Sequence, residues 1–252
     1  MSVTAPQGFR AAGVVAGLKT TAERDVAVVI NDGPSRAAAA VFTTNRIQAA
    51  PVKWSRQVIN GQRVKAVVLN SGGANACTGP AGFQDTHATA ERLASAISDS
   101  AAEIVVCSTG LIGERLPMDK LLPAVDEAVK DANRSGGVHA ADAIRTTDTV
   151  VKIAFRRDDG YSIGGMAKGA GMLAPALATM LCVLTTDADL TADELHAALK
   201  QATSKTFDRL DTDGCMSTND TVLLMASGAA KAKPDLNSFT ATLTDLCQDL
   251  AR

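Results

Sequence analysis

Short apolar runs that break at glycine- and asparagine-rich turns constrain the fold of this chain most strongly. Three of them lie in its first half: Val26 to Ile30, Val64 to Leu69 and Ile104 to Val106. Apolar, β-branched runs bounded by turn residues are typical of strands, and the loops after strands often carry sites. Amphipathic segments with helical spacing alternate with these runs, at Ala88 to Ile97 and at Met118 to Lys130. The mixture predicts α/β layers with substantial sheet.

Strand signals dominate after Thr147. Val150 to Phe155 and Tyr161 to Ile163 predict a hairpin, because Asp159 and Gly160 between them favour a tight turn. A glycine-rich segment follows, which the sequence indicates as a turn, and a steeply apolar strand then begins at Met180.

The next segment carries the signals of a helix start. Thr191 and Glu194 have the spacing of a capping box, which predicts a helix over Ala192 to Thr206. Val222 to Met225 predicts a further strand, and a last helix is expected from Asp235 onward.

Composition excludes several classes of partner. The 252 residues, 46% of them hydrophobic, can bury the core of one large domain or two ordinary ones. A net charge of −2 with scattered basic residues, and only 3% aromatic residues, argue against binding to nucleic acid or to an anionic membrane. No signal peptide and no 18-residue uncharged apolar run is visible. We therefore expect a soluble cytoplasmic protein that handles small molecules.

The cysteines and histidines predict no metal centre. The five cysteines are odd in number and far apart, as expected for buried thiols in a reducing compartment. The three histidines lack metal-ligand spacing, and Asp211 to Gly214 lacks the acidic pattern of a calcium loop. The acidic residues of this region are expected instead to order loops or to act as structural carboxylates: Asp208, Asp211, Asp213 and Asp220. The cysteines are Cys77, Cys107, Cys182, Cys215 and Cys247, and the histidines are His87, His139 and His196.

Thr179 is the most consequential candidate for chemistry. A threonine that opens a strand usually serves β-propensity alone. Here Gly169, Gly171 and Pro175 permit an exposed turn before it, and the small Ala178 leaves its carbonyl group open to attack. Attack by the Thr179 hydroxyl would form an ester, and hydrolysis would free an α-amine. That amine, with an ordinary pKa near 8, could serve as base for its own hydroxyl group.

Other polar residues near turns have a structural and a functional interpretation. Lys168 is either a solvated turn lysine or a cation for a substrate carboxylate, and a phosphate loop is disfavoured because the GxxxxGK[ST] order is absent. Thr109 and Gly110 either end a strand or stabilise an oxyanion. Thr146, Thr147 and Asp148 form an ordinary hydrogen-bonding turn or a strand start unless the fold brings them to the nucleophile.

Two further polar segments are open to the same choice. Asn70 to Asn75 either lines a pocket or satisfies its own loop. His87 is expected at a helix start, with no nucleophile that it could be paired with.

Four segments carry a resemblance to a known family: CSTGLIGERLPMDKL, IRTTDT, GGMAKGAGMLAPALATMLCVLTTDA and FDRLDTDGCMSTNDT. Together they look like the ornithine acetyltransferases, the glutamate N-acetyltransferases of arginine biosynthesis. The resemblance implies an α/β/β/α layered sandwich of the N-terminal-nucleophile type. It also implies self-cleavage between Ala178 and Thr179 into an α chain, 1–178, and a β chain, here 179–252, assembled as an α2β2 heterotetramer when complete.

The resemblance assigns roles to individual residues. Thr179 matches the nucleophile that takes acetyl from N2-acetylornithine, releases ornithine and passes the acetyl group to glutamate in a ping-pong reaction. Thr109 and Gly110 match the oxyanion-hole pair, while Lys168 and one of Thr146 and Thr147 match substrate-binding positions. No cofactor or metal is implied, and some members also accept acetyl-coenzyme A as donor.

The sequence departs from the family after Arg252. The family continues into a further part of the β chain that supplies glutamate, asparagine and serine to the substrate pocket. The resemblance therefore describes a truncated β chain, and the alternative to an active enzyme is an inactive homologue with a binding or assembly role. A nucleotide or phosphate binder that uses GGMAKGAG is a third hypothesis.

Overall fold

A computed structural model describes residues 2–171, 180–211 and 213–252 of the chain. Its strands are β1 (Phe9–Val14), β2 (Val26–Asn31), β3 (Ala38–Phe42), β4 (Ala66–Gly73), β5 (Ile104–Leu111), β6 (Lys152–Asp158), β7 (Tyr161–Lys168), β8 (Leu181–Thr186) and β9 (Thr221–Ala226). Its α-helices are α1 (Ala50–Ile59), α2 (Gly79–Ala96), α3 (Met118–Asp131), α4 (Gly137–Ala143), α5 (Ala192–Lys205) and α6 (Leu236–Leu250).

The strands form two sheets. The first has the order β1-β2-β4-β5 and the second the order β3-β9-β8-β7-β6. One neighbouring pair in each sheet is parallel, β4 with β5 and β8 with β9, and the other pairs are antiparallel. Strand β8 therefore lies inside its sheet, hydrogen-bonded to β7 on one side and to β9 on the other.

The two sheets face each other and are covered by helices on their outer faces. Alternate residues of β2 show this arrangement: Val28 joins the cluster under α2 and α3, whereas Val29 joins the cluster between the sheets. Strand β8 behaves in the same way, because Leu184 packs under α5 and α6 while Val183 faces the first sheet. Helices α1 and α4 contribute to the core between the sheets. These layers confirm the α/β/β/α sandwich.

Most of the predicted elements are present, with longer strands than expected. Strand β7 continues to Lys168 where the sequence indicated a glycine-rich turn, so that part of the interpretation is wrong. Gly164 shows why this strand contains glycine: a Cβ atom there would lie 2.1 Å from the Ser2 carbonyl oxygen. Close approach of two backbones, rather than a turn, requires glycine at this position.

Helix α2 begins at Gly79, well before the predicted start at Ala88. His87 therefore lies within the helix and not at its start, and its ring packs on Trp54 with 5.0 Å between the centroids. Strands β1 and β3 and helices α1 and α4 were not predicted. Three consecutive alanines in β3 carry almost no strand signal, and α4 is short and starts with glycine.

The cysteine prediction is only partly correct. Cys107, Cys182 and Cys247 are buried, and Cys77 and Cys215 are exposed. Within the described residues, no cluster of three metal-ligating side chains occurs, and no helix is long and apolar enough to cross a membrane.

Candidate active site

Lys168 ends strand β7 and points into the protein. Lys168 is only 2% exposed, so its interpretation as a solvated turn lysine is wrong. Its Nζ atom donates a hydrogen bond to Thr146 Oγ1 at 3.1 Å. Burial lowers the pKa of Lys168 to about 8, although the nearby carboxyl groups of Asp148 and Asp220 oppose the change. Among the described residues, Thr146 is the one hydrogen-bond acceptor of this ammonium group, so a poorly hydrated cation has donors left for a ligand.

Thr109 and Gly110 lie at the carboxyl end of β5, beside the end of β4. The parallel pairing of these strands is interrupted by a bulge at Gly72 and Gly73. Gly110 has φ of +131°, and a Cβ atom there would approach the Gly72 carbonyl carbon at 2.5 Å. Only glycine suits both the conformation and the approach. The bulge exposes Gly110 while Thr109 stays buried.

The fold brings five of the predicted site residues into one cavity. Its volume is about 400 Å³, and it is open to solvent. The lining residues are Thr109, Gly110, Thr146, Thr147, Lys168, Ala170, Gly171 and Asp213. Residues far apart in the chain thus meet between the carboxyl end of β5 and the carboxyl end of β7. Thr179 and Ala178, the predicted nucleophile and cleavage residues, lie outside the described residues.

Met180, which follows Thr179 in the sequence, marks where strand β8 enters this region. Lys168 is the register partner of Leu181, so the end of β7 lies beside the start of β8. The Met180 amide donates to Asp220 Oδ1 at 2.9 Å, and the Met180 carbonyl accepts from the Thr221 amide at 2.9 Å. The backbone at the start of β8 is therefore fixed on both of its polar groups.

Two buried carboxyl groups, those of Asp148 and Asp220, accompany Lys168. Asp220 was expected only to order a loop or to act as a structural carboxylate. Asp148 Oδ1 accepts a hydrogen bond from the Gly169 amide at 2.8 Å. Asp220 lies directly before β9 and is 0% exposed. Burial raises the pKa of Asp220 to about 8, and the hydrogen bond donated by the Met180 amide and the charge of Lys168 only partly oppose this. An acidic residue directly before a fully apolar strand was the available signal.

Asn219 connects the two sheets next to the cavity. Its Nδ2 group donates to the Ser108 carbonyl at 2.8 Å and to the Ala74 carbonyl at 2.7 Å. Ser108 precedes Thr109 in β5, and Asn219 precedes Asp220. Two consecutive side chains therefore hold the end of β5 and the start of β8 in a fixed relation. Hydrogen-bond partners, rather than any sequence motif, identify this residue.

The remaining candidates have mostly structural surroundings. Asn70 donates to the Gly73 carbonyl, and Asn75 to the Gly82 carbonyl, so these side chains satisfy nearby backbone groups. Asp211 and Asp213 accept backbone hydrogen bonds within their loop, as predicted. A larger cavity, about 540 Å³, is lined by other residues that include Arg46 and Lys53, and none of the predicted site residues lines it.

Solved structures define the class of fold. A β-aminopeptidase from Burkholderia aligns with 99% of this chain and 84% of its own chain, with TM-score 0.61 at 13% identity. The L-aminopeptidase D-Ala-esterase/amidase of Ochrobactrum anthropi, described as a variant of the Ntn hydrolase fold, aligns with TM-score 0.57 at 12% identity over 99% of this chain and 84% of its own. At such identities the likeness concerns the fold alone. The chain has an N-terminal-nucleophile-type sandwich.

The family follows from closer relatives. The family model described as ArgJ matches residues 10–252, and the chain belongs to this family. It is 71% identical over 252 residues to the arginine biosynthesis bifunctional protein ArgJ of Thermobifida fusca, covering 100% of this chain and 66% of that protein. The ArgJ 1 protein of Streptomyces clavuligerus is 62% identical with the same coverage. The chain thus spans slightly less than two thirds of the length of these relatives.

A solved relative belongs to the same family. The ornithine acetyltransferase of Mycobacterium tuberculosis, determined in complex with ornithine, is 57% identical. Its alignment covers 71% of this chain and 96% of that chain, with TM-score 0.68.

Proposed function

We propose that this chain carries the nucleophile and the oxyanion side of a glutamate N-acetyltransferase that moves acetyl from N2-acetylornithine to glutamate. The observation that carries the proposal is the cavity shared by Thr109, Gly110, Thr146, Thr147 and Lys168. These residues come from three distant segments, and the cavity lies at the strand ends next to the start of β8. The ornithine complex of the mycobacterial relative supports an amino-acid substrate of this type.

The proposed chemistry assigns one task to each group. The Lys168 ammonium binds the α-carboxylate of the amino acid, since a buried cation gains strongly from an anionic partner. Its present acceptor, Thr146, and the neighbouring Thr147 complete the polar wall of the substrate site. Thr109 and Gly110 stabilise the oxyanion that forms when the acetyl carbonyl is attacked. Thr179 is the nucleophile, and its acetyl ester divides the transfer into two steps.

Processing and assembly belong to the same proposal. Cleavage between Ala178 and Thr179 divides the sequence into an α chain, 1–178, and a β chain, 179–252. The two chains stay associated, and the assembly proposed for the complete enzyme is a cytoplasmic α2β2 heterotetramer. The proposed reaction needs no cofactor or metal. Acetyl-coenzyme A is proposed as a second acetyl donor, in line with the word bifunctional in the relatives' names.

Intact-mass spectrometry tests the proposal in one series. The purified chain is expected to divide at Ala178/Thr179, to gain one acetyl group on the fragment starting at Thr179 when N2-acetylornithine is added, and to lose it when glutamate is added. Thr179→Ala should neither divide nor become acetylated, whereas Thr21→Ala, in an exposed loop, should behave as the wild type. A parallel arm supplies acetyl-coenzyme A as donor.

The outcomes separate the competing functions. Division without acetylation by either donor refutes the transferase and leaves a binding or assembly role. A chain that never divides refutes the processing step.

A further inference from the structure

One oxygen of the Asp220 carboxyl group has no hydrogen-bond partner among the described residues. Asp220 is 0% exposed, and its Oδ1 atom accepts the Met180 amide hydrogen bond at 2.9 Å. Among the described residues, no group forms a hydrogen bond with Oδ2, although this atom is buried. The Ser217 and Thr43 hydroxyl groups are near enough to lower the pKa of Asp220 but do not make a hydrogen bond of normal geometry with Oδ2. A buried oxygen of this kind requires a donor.

The hydrogen bond from Met180 ties Asp220 to the residue that directly follows the predicted nucleophile in the sequence. The nitrogen held by Asp220 is bonded to the carbonyl carbon of Thr179, and consecutive Cα atoms are about 3.8 Å apart. Asp220 is therefore hydrogen-bonded one position after Thr179 in the sequence. Asp220 is anchored next to the residue on which both proposed reactions depend.

The charges facing Asp220 allow it to exchange a proton near neutral pH. Burial raises its pKa to about 8, and Lys168, at the end of β7, attracts the ionised form. Asp148, from the segment before β6, also attracts the Lys168 ammonium group, so both carboxyl groups interact with the same cation. The carboxyl group of Asp220 can therefore be either protonated or ionised near neutral pH.

Self-cleavage poses a problem that the α-amine of Thr179 cannot solve. Before cleavage this nitrogen is part of the peptide bond and cannot act as a base. Another group must take the proton when the Thr179 hydroxyl attacks the Ala178 carbonyl carbon, and the same group can return it to the departing nitrogen. The hydroxyl groups of the cavity are not suitable acceptors, and Lys168 can accept a proton only in its neutral form. Asp220, unlike Lys168, is hydrogen-bonded to the residue next to Thr179.

We propose that Asp220 is the proton acceptor for self-cleavage and the later binding partner of the new amino terminus at Thr179; this inference rests on the proposed function. The ionised carboxylate takes the hydroxyl proton while the oxygen bonds to the Ala178 carbonyl carbon. As the carbon–nitrogen bond breaks, the carboxyl group returns that proton to the nitrogen, which leaves an ester and a free amine. Water then hydrolyses the ester, placing its oxygen on Ala178 and a proton on the Thr179 oxygen.

The direct test is the isosteric variant Asp220→Asn. It keeps an acceptor for the Met180 amide but cannot take up the proton. We expect self-cleavage, followed by intact mass from pH 5.5 to 9, to slow at least about 100-fold, as is typical when a general base is lost. The matched control is Asp187→Asn, which alters a buried carboxyl group at the opposite end of β8, where Asp187 accepts the Ser162 and Gln7 amides. This control should cleave with the wild-type rate and pH dependence.

Ser217→Ala provides a second and independent test. The Ser217 hydroxyl lowers the pKa of Asp220, so its removal should move the midpoint of the cleavage–pH curve to higher pH while the maximum rate is retained. An unchanged midpoint overturns the inference, including in the case where Asp220→Asn fails to fold. A folded Asp220→Asn protein that cleaves within about threefold of the wild-type rate also overturns it, and leaves the proposed acetyl transfer standing if the wild type is active. A wild-type chain that never cleaves refutes both proposals together.

Discussion

A single buried lysine determines much of the electrostatics of the candidate site. Lys168 is almost inaccessible, yet only one hydrogen bond from its ammonium group, to Thr146, is observed within the described part of the chain. Burying this cation costs free energy that the carboxyl groups of Asp148 and Asp220 offset only in part, and the lowered pKa of Lys168 reflects that cost. Sites that bind anions accept this cost because the substrate supplies the missing charge.

Lys168→Met should separate binding from stability. Loss of a charged hydrogen bond, worth about 1.5–3 kcal/mol, should weaken ornithine binding roughly 10- to 100-fold in calorimetric titration. The fold should become more stable at pH 7. Because the pKa of Lys168 is lower in the folded protein than in the unfolded chain, wild-type stability should rise between about pH 8 and pH 10.5, and the variant should lack this rise. Lys130→Met, at an exposed position, is the control, and unchanged ornithine binding would contradict the role of Lys168.

Asp220→Asn should change the pH dependence of the free energy of unfolding at lower pH than Lys168→Met does. The pKa of Asp220 is raised from 3.8 to about 8, so between these values the folded protein retains a proton that the unfolded chain has lost. Stability of the wild type should therefore fall as pH rises from 5 to 8, and more steeply than that of the variant. Urea unfolding at pH 5, 6.5 and 8 measures the difference. Parallel curves for the two proteins would show that the carboxyl group is not protonated in the folded state.

At the level of secondary structure, the sequence predicted those elements whose residues carry strong local signals. The capping box of α5 and the apolar runs of β2, β8 and β9 were correctly placed. Alanine- and glycine-rich strands were missed or interpreted as turns, because close packing against a neighbouring backbone, as at Gly164, selects small residues and leaves no β-branched pattern. The sequence left a structural and a functional interpretation open for the candidate site residues, and the resemblance assigned their roles. Asp220 was expected only as a structural carboxylate, and Asn219 could not be found without the contacts between distant segments.

The bulge at the ends of β4 and β5 gives a sharp comparison between two glycines. Gly110→Ala places a Cβ atom 2.5 Å from the Gly72 carbonyl carbon at φ of +131°, whereas Gly113→Ala has φ of +92° and no atom within 4 Å. Both substitutions strain the backbone, by about 1–3 kcal/mol. Only Gly110→Ala should also displace Thr109 and slow acetylation of Thr179. Equal acetylation rates in the two variants would remove Gly110 from the oxyanion site.

The capping box of α5 should matter for stability alone. Thr191 accepts the Glu194 amide, and Glu194 accepts the Thr191 amide. Thr191→Ala should lower the free energy of unfolding by about 1 kcal/mol in urea titration, with self-cleavage unchanged. Ser204→Ala, an exposed position near the other end of the helix, should have little effect on either property. A Thr191→Ala protein as stable as the wild type would show that the cap is already replaced by solvent.

In the molecule as a whole, strands from before and after the proposed cleavage point belong to one sheet. Strands β3, β6 and β7 precede that point, whereas β8 and β9 follow it, and all five belong to the same sheet. The side chain of Asn219 adds hydrogen bonds from the downstream part to the first sheet. The apolar faces of β8 are covered by upstream residues on one side and by α5 and α6 on the other.

Cleavage should therefore leave a single particle. After self-cleavage the two fragments should co-elute in size-exclusion chromatography in native buffer and should separate only in denaturant. The uncut Thr179→Ala protein provides the reference elution volume. Fragments that elute apart in native buffer would contradict the pairing of β8 with β7 and β9.

Because β8 lies inside its sheet, the precursor and the cleaved protein should also differ in how they refold. While the backbone is continuous, β8 finds β7 as part of the same molecule, and only the entropy of closing a short connection opposes the pairing. Once the connection is severed, the same pairing becomes an encounter between two molecules and depends on their concentration. An unfolded precursor and an unfolded mixture of fragments would then differ in refolding order, first order for one and second order for the other. The mature form would inherit a structure that it could not rebuild at high dilution.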